Sequence, residues 1–366
     1  MSKIISIATS VPDHGYDQNE LLQFADKVFC STEDESRKLK FLYGKSGIEK
    51  RYSVTKDFTS PAMERTFFSA SADLEPFPDV EKRMKLYAAS AAPLSVSAIE
   101  GCIKDRISKD QITHLITVSC TGISAPGLDL QVMELMQLPS DIVRTSVNFM
   151  GCYAAVHALK LADAFSNTNE HANIIVVCTE LCTLHFQKTI SVDNMTASLL
   201  FADGSAAMLI QHDNSIEKGI QIESFFSDVS FKGKNEMAWE VSSKGFLMTL
   251  TGYVPGLIKE DFKGLVSKAM EKAKHKMEDI THWCIHPGGK QILQSISSSL
   301  DIPPEDLACS YEVLKNYGNM SSATIVFVLE KILTELRSNP PDQPALIFGA
   351  AFGPGLTMET FTATYA

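Results

Sequence analysis

The chain has 366 residues, 45% of them hydrophobic and 21% charged, which is enough for one large or two smaller globular domains. Its net charge of −11 argues against nucleic acid and anionic membrane surfaces as partners, but leaves room for a phosphorylated ligand held by a local basic cluster. No run approaches the roughly 18 apolar residues of a membrane span, and the eight cysteines, without CxxC pairs or close histidine spacing, read as free thiols and not as disulfides or a metal site.

Met1-Ser2-Lys3-Ile4-Ile5-Ser6-Ile7 runs directly into a strand pattern without a signal-peptide core, so a cytoplasmic location is expected. A helix is expected over 18–28. Next comes the most basic part of the chain, with Arg37, Lys38, Lys40, Lys45, Lys50 and Arg51. It reads equally as a solvated helix face or as a phosphate-binding patch. An Ala-rich helix is expected over 86–105, then a buried strand over 113–118 that ends in Ser119-Cys120-Thr121-Gly122. Pro126-Gly127 turns the chain into a helix that Pro139 stops. The run Val147-Asn148-Phe149-Met150 meets Gly151-Cys152 and opens into a second helix. A cysteine there feels the positive end of the helix dipole, which favours the thiolate; on this stretch alone a small packed core residue explains it as well. Strands over 173–179 and 206–210 follow, with Phe201-Ala202-Asp203-Gly204 between them.

The second half repeats the order of the first. Ile112-Thr113-His114 and Ile280-Thr281-His282 each open a strand, and Gly151-Cys152 and Gly318-Asn319 each precede a long helix, at nearly the same offset. This implies an internal duplication with an α/β fold, largely parallel buried strands, and halves spanning 1–215 and 216–366. Related helix starts can face each other across a pseudo-twofold axis. His286, at a strand end followed by Pro287-Gly288-Gly289, can join them. A thiolate attacks carbonyl carbon, histidine pairs with the thiol or donates to an oxyanion, and asparagine adds a donor without charge. Cys152, His286 and Asn319 therefore suit acyl transfer through a thioester. Taken singly, Asn319 is also explained as a helix cap and His286 as a satisfied core residue.

Over nearly its whole length the chain resembles the type III polyketide synthases, the chalcone synthase-like branch of the thiolase superfamily. The resemblance rests on Gly151-Cys152, Ile285-His286-Pro287-Gly288-Gly289, Tyr317-Gly318-Asn319-Met320-Ser321-Ser322-Ala323 and Phe352-Gly353-Pro354-Gly355-Leu356-Thr357. Phe201-Ala202-Asp203-Gly204 matches with Ala for the family's Gly. The resemblance implies a thiolase-like fold of two duplicated βαβαβαββ halves in a five-layer α-β-α-β-α sandwich, the first half carrying the Cys and the second the His and Asn. It implies a homodimer that uses malonyl-CoA and an acyl-CoA starter, with CoA thioesters as substrates and no cofactor or metal. It also implies that Cys152 holds the acyl chain, His286 and Asn319 stabilise the enolate and oxyanion, and Phe201 orients the malonyl carboxylate. Lys38 and Lys45 match CoA-contacting positions, and Phe41 takes the place of the third cation, with Arg37 or Lys40 as substitutes. Gly288, Ser321, Gly353 and Pro354 fall in the motifs expected to contact substrate.

Departures from the plant pattern bear on the product. Met248 replaces a second gatekeeper phenylalanine, His185 a small polar residue, Trp239 a glycine, and Cys120-Thr121 a Thr-Ser pair. Ala125 replaces a methionine in the loop that reaches the neighbouring subunit. For Cys120, packing explains the residue slightly better than catalysis. The segment Met237-Ala238-Trp239-Glu240-Val241 is similar to bacterial members that use fatty acyl starters, so alkylpyrones or alkylresorcinols are the expected products. The alternatives are a small aromatic polyketide made from malonyl-CoA alone, and a single condensation of the ketoacyl-ACP synthase III kind. A Cys-His-Asn hydrolase and a decayed, non-catalytic synthase are weaker rivals.

Overall fold

A computed structural model describes residues 1–215 and 217–365. Ile216 and Ala366, the first and last residues of the expected second half, lie outside the described residues.

The first half opens with strand β1 (Ser2–Ser10) and a two-stranded ribbon, β2 (His14–Asp17) and β3 (Lys50–Ser53). The ribbon encloses helices α1 (Gln18–Phe29) and α2 (Glu33–Lys45). The basic segment is thus largely helical: Thr32 caps α2 by accepting the Glu35 amide, and the Glu35 carboxylate accepts the Ser31 and Thr32 amides. Then come α3 (Val80–Ile103), β4 (His114–Ser119), α4 (Leu128–Met136), β5 (Val143–Asn148), α5 (Ala154–Thr168), β6 (Ile174–Leu181), α6 (Val192–Leu200) and β7 (Asp203–His212). Helix α3 starts six residues earlier than its apolar pattern shows, because Asp79 caps it through the Lys82 amide.

The second half comprises β8 (Ile220–Val229), a hairpin of β9 (Met237–Ser242) and β10 (Gly245–Leu250), α7 (Val254–Ala273), β11 (Ile280–Ile285), α8 (Lys290–Leu300), α9 (Ala308–Tyr317), α10 (Ser322–Ser338), β12 (Ala345–Gly353) and β13 (Thr357–Tyr365). Where the first half has β5, the second has α9. Its buried Ser310, Val313 and Leu314 fall at helical spacing, which accounts for the exchange.

The main sheet runs β11-β12-β13-β8-β1-β7-β6-β4-β5. Among the described residues, its two halves join through a short β1–β8 pairing at Lys3–Gln221 and Ile4–Ile220, and outside the sheet a single bridge links Phe201 to Asn319. Parallel pairing is confined to the flanks, β4 with β5 and β6, and β11 with β12. The middle is antiparallel. The expectation of largely parallel strands therefore fails: the chain doubles back from β12 into β13, and β7 lies between β6 and β1 in opposite sense to both. The order of layers is that of the thiolase fold. Helix α3 covers β1, β6 and β7 outside, α5 and α10 touch each other between the two half-sheets, and α7 and α8 form the far layer. Alanines at 154, 155, 158, 162 and 323, all buried, let α5 and α10 approach closely. By length and composition α3 could cross a membrane, with mean hydropathy 1.3 in its most apolar window, yet Ala91, Ala92, Ala98 and Ile99 are buried within the fold.

Candidate active site

The starts of the two central helices, α5 and α10, bring the key residues together. After β5 the chain turns sharply through Phe149 (φ 58) and Gly151 (φ 80). Gly151 needs both its left-handed backbone and its missing side chain, because a Cβ there would lie 2.2 Å from Cδ of Pro354. Its amide donates to the Sγ of Cys120 at 3.0 Å. Cys152 follows, just ahead of α5, and its thiol donates to the Ser321 hydroxyl at 3.6 Å.

Across from it, Gly318 (φ 70) ends α9 and leads into Asn319. Asn319 Oδ1 accepts the Ser321 amide at 2.8 Å, and Nδ2 donates to the Gly288 carbonyl at 3.3 Å. The amide orientation is thereby fixed. Asn319 is therefore an oriented donor and not the cap of α10, which is Ser321. His286 follows β11; its backbone amide donates to Ala350, while its Nδ1 is buried with no partner.

Cys152, His286, Asn319, Phe201, Met248, Lys45 and Gly288 all line one cavity of about 240 Å³. Phe201 is locked beside Asn319: the Asn319 amide donates to Leu200 and the Ala202 amide donates to Asn319. Phe201 and Met248 also line a second, smaller cavity of about 40 Å³, so they stand between the two.

Burial sets the resting charges. It pushes the Cys152 thiol up to about 12, an effect that the Ser321 and Asn319 hydrogen bonds reduce and the buried Glu180 reinforces. It pushes His286 down to about 3. The free site therefore holds a thiol and a neutral imidazole at neutral pH, and not the thiolate that the helix dipole alone would favour.

The remaining expected residues divide into wall and support. Trp239 and His185 line the second cavity. His185 is a strut: its Nδ1 accepts the Phe246 amide, its Nε2 donates to the Thr121 carbonyl, and its ring stacks on Phe246 at 4.3 Å. Cys120 and Thr121 are on neither cavity wall. Cys120 braces the Gly151 turn, and Thr121 donates to the fully buried Glu180. Gly353 and Pro354 likewise lie behind Cys152, against Tyr153 and Gly151, while their neighbour Phe352 reaches the cavity. Ser321 touches the thiol. Ala125 sits in an exposed surface loop and lines neither cavity of this chain. Lys38 is exposed on α2, away from the wall that Lys45 and Lys290 share.

Two features escaped the sequence reading. Glu180, a carboxylate within the apolar run of β6, accepts from the Cys120 amide and from the Thr121 and Ser322 hydroxyls; an acid in a fully buried strand was the available signal. The apolar mouth formed by Leu42 and Val192 carries no such signal. All eight cysteines are free. Among the described residues no group of three or more His, Cys, Asp or Glu could hold a metal ion.

Comparison with known proteins places this geometry. The family model for the chalcone and stilbene synthases' N-terminal domain matches residues 1–214, and that for their C-terminal domain matches residues 222–364. The chain is 32% identical over 366 residues to probable polyketide synthase 1 of Dictyostelium discoideum, covering 98% of this chain but only 11% of that much longer protein. It is 31% identical over 285 residues to the alpha-pyrone synthesis polyketide synthase-like Pks18 of Mycobacterium tuberculosis, covering 76% of this chain and 72% of that one. The crystal structure of the C-terminal type III polyketide synthase domain of Steely1, a type I/III hybrid from Dictyostelium, superposes with a TM-score of 0.90 at 29% identity, covering 100% of this chain and 99% of that one. The chain therefore belongs to the chalcone and stilbene synthase family, and is a type III polyketide synthase, an acyltransferase on the thiolase-like fold.

Proposed function

We propose that Cys152, His286 and Asn319 carry out iterative decarboxylative condensation of malonyl-CoA onto an acyl-CoA starter. The observation that carries this reading is their place on one cavity wall, with the Asn319 amide oriented by the Ser321 amide. The Cys152 thiol passes its proton to the neutral His286 imidazole as sulfur attacks the starter thioester, and CoA leaves with a proton. Malonyl-CoA then binds with its carboxylate beside Phe201 and Met248. Desolvation there favours loss of the charge as CO2. The enolate oxygen receives hydrogen bonds from His286 and Asn319 Nδ2, and the enolate carbon displaces the Cys152 thiolate from the acyl group. The lengthened chain, now on CoA, returns to Cys152 for the next round. Loss of CO2 and thioester exchange balance every step, so no cofactor beyond the CoA thioesters is needed.

For the product we favour alkylpyrones or alkylresorcinols. The apolar side of the main cavity, with Val192, Leu199, Leu200, Met237, Met248 and Leu250 on its wall, supports an alkyl chain there, and the mycobacterial relative is named for alpha-pyrone synthesis. A small aromatic polyketide made from malonyl-CoA alone is the competing product. We further assign a cytoplasmic homodimer whose halves, 1–215 and 216–366, supply the nucleophile and the His-Asn pair. The dimer is supported by the β5 edge strand, unpaired on its outer side, and by exposed Ile123, Leu130, Leu135 and Val143 near it in the chain. Mass spectrometry of products from malonyl-CoA with starters of graded chain length tests the activity. Formation of only a singly condensed β-ketoacyl carrier-protein product would overturn it in favour of a ketoacyl-ACP synthase III reaction.

A further inference from the structure

Arg51 is the largest charged side chain near the site that the reaction above leaves unused. It lies on β3, only 3% exposed, in what reads along the chain as a run of surface cations. Its Nη1 donates to the Phe201 carbonyl at 2.6 Å, and its Nε donates to Gln18 Oε1 at 2.9 Å. Gln18 in turn donates through Nε2 to the Leu199 carbonyl at 2.8 Å. One side-chain pair thus pins carbonyls on both sides of Leu200, at the end of α6. The carbonyl between them, Leu200, accepts the Asn319 amide. The stem of Arg51 also runs beneath the turn before Asn319, since a Cβ on Gly318 would lie 2.8 Å from both its Cγ and its Cδ. A buried guanidinium is costly to desolvate, and no carboxylate forms an ion pair with it among the described residues. What it provides is a planar fork that meets two acceptors at fixed angles, which an ammonium cannot do.

We propose that Arg51, braced by Gln18, is a positioning residue that holds Phe201 and Asn319 as one unit, so that the partition between the two cavities and the enolate-binding donor keep a fixed spacing. The proposal rests on the reading that Phe201 and Asn319 serve malonyl-CoA decarboxylation. Its remaining nitrogen, Nη2, is buried without a partner, and Arg51 lines the second cavity. The clamp therefore also faces the space beyond Phe201.

Arg51→Lys keeps the charge and removes the fork. The readouts are iodoacetamide alkylation of Cys152, malonyl-CoA decarboxylation with kcat and KM separated, and the distribution of extension numbers in the products. Expected are alkylation within about twofold of wild type, a decarboxylation kcat lower on the order of tenfold at similar KM, and a broadened product distribution. Normal decarboxylation and products in folded Arg51→Lys would overturn the proposal. If Arg51→Lys loses all three readouts together or fails to fold, Gln18→Ala decides, because it leaves Arg51 in place and frees its Nε anchor and Leu199. The same selective loss, smaller in size, supports the clamp, and wild-type behaviour overturns it. Phe201→Leu, measured alongside, separates the two levels. Altered products in Phe201→Leu with unaltered Arg51→Lys sink the clamp alone; no change in either sinks the reading of Phe201 on which it rests.

Discussion

Trp239, on β9, donates its indole N–H to the carbonyl of Cys120, 2.7 Å away and 119 residues earlier in the chain. Its ring meets His185 and Phe246 edge-on, and the register of the hairpin sets it opposite Met248. One side chain thus closes the second cavity and ties it, through Cys120, to the turn that carries Cys152. Trp239→Gly should enlarge that cavity and shift the accepted starters and chain lengths, while malonyl-CoA decarboxylation changes by less than about threefold. Product profiling with a series of acyl-CoA starters checks this, and an unchanged profile would remove Trp239 from chain-length control.

Much of this site is legible before any coordinates. Cys152, His286 and Asn319 each sit next to a glycine turn at a strand end or helix start, where a duplicated α/β chain converges, and turn chemistry is local in sequence. Which atoms of a motif face the cavity is not local. Gly353 and Pro354 share a motif with Phe352, yet only Phe352 lines the wall; the other two press against the back of the Cys152 turn. Arg51 is hidden for the same reason, because a buried fork and a surface cation look alike inside a basic run. The exchange of a strand for α9 was readable, since Ser310, Val313 and Leu314 already carry a helical period, but the duplication argues the other way.

The resting protonation states make a kinetic prediction. With the Cys152 thiol pushed up to about 12 and His286 down to about 3, the free enzyme holds almost no thiolate below neutrality. Alkylation of Cys152 by iodoacetamide should therefore keep rising from pH 6 to pH 10, about tenfold per pH unit, because the reagent reacts with the thiolate. A plateau below pH 7 would instead show a resting thiolate–imidazolium pair.

Glu180 should leave a signature in stability. Burial raises its folded pKa to about 7 from the model-peptide value of 4.5, against the opposing hydrogen bonds from Ser322, Cys120 and Thr121. Because the folded value lies above the unfolded one, its protonated form stabilises the fold fully below pH 4.5, and that contribution is lost as pH rises towards 7. Glu180→Gln removes this titration. Relative to the variant, wild type should lose up to ~3 kcal/mol of stability across that window, measured by denaturant unfolding at matched pH values. A constant difference between the two proteins would show that Glu180 does not titrate there.

The mouth of the cavity offers a gain-of-function test. Lys45 and Lys290 line it, but Phe41, 64% exposed on α2, stands where the family resemblance implies a third cation. The Lys45 ammonium lies 5.8 Å from the centre of the Phe41 ring, so a side chain at position 41 shares the neighbourhood of the cation that reaches the cavity. A guanidinium there would add a forked donor for a phosphate of CoA without touching Cys152, His286 or Asn319. Phe41→Arg should lower the KM for malonyl-CoA about threefold to fivefold, ~1 kcal/mol for an exposed, charge-assisted contact, with kcat unchanged. The gain should shrink between low salt and about 0.5 M salt, since an exposed charge pair is screened there. Steady-state kinetics at the two salt concentrations checks both parts. An unchanged KM at low salt would mean that the CoA phosphates lie away from α2, and that the lysines at this mouth serve something other than nucleotide recognition.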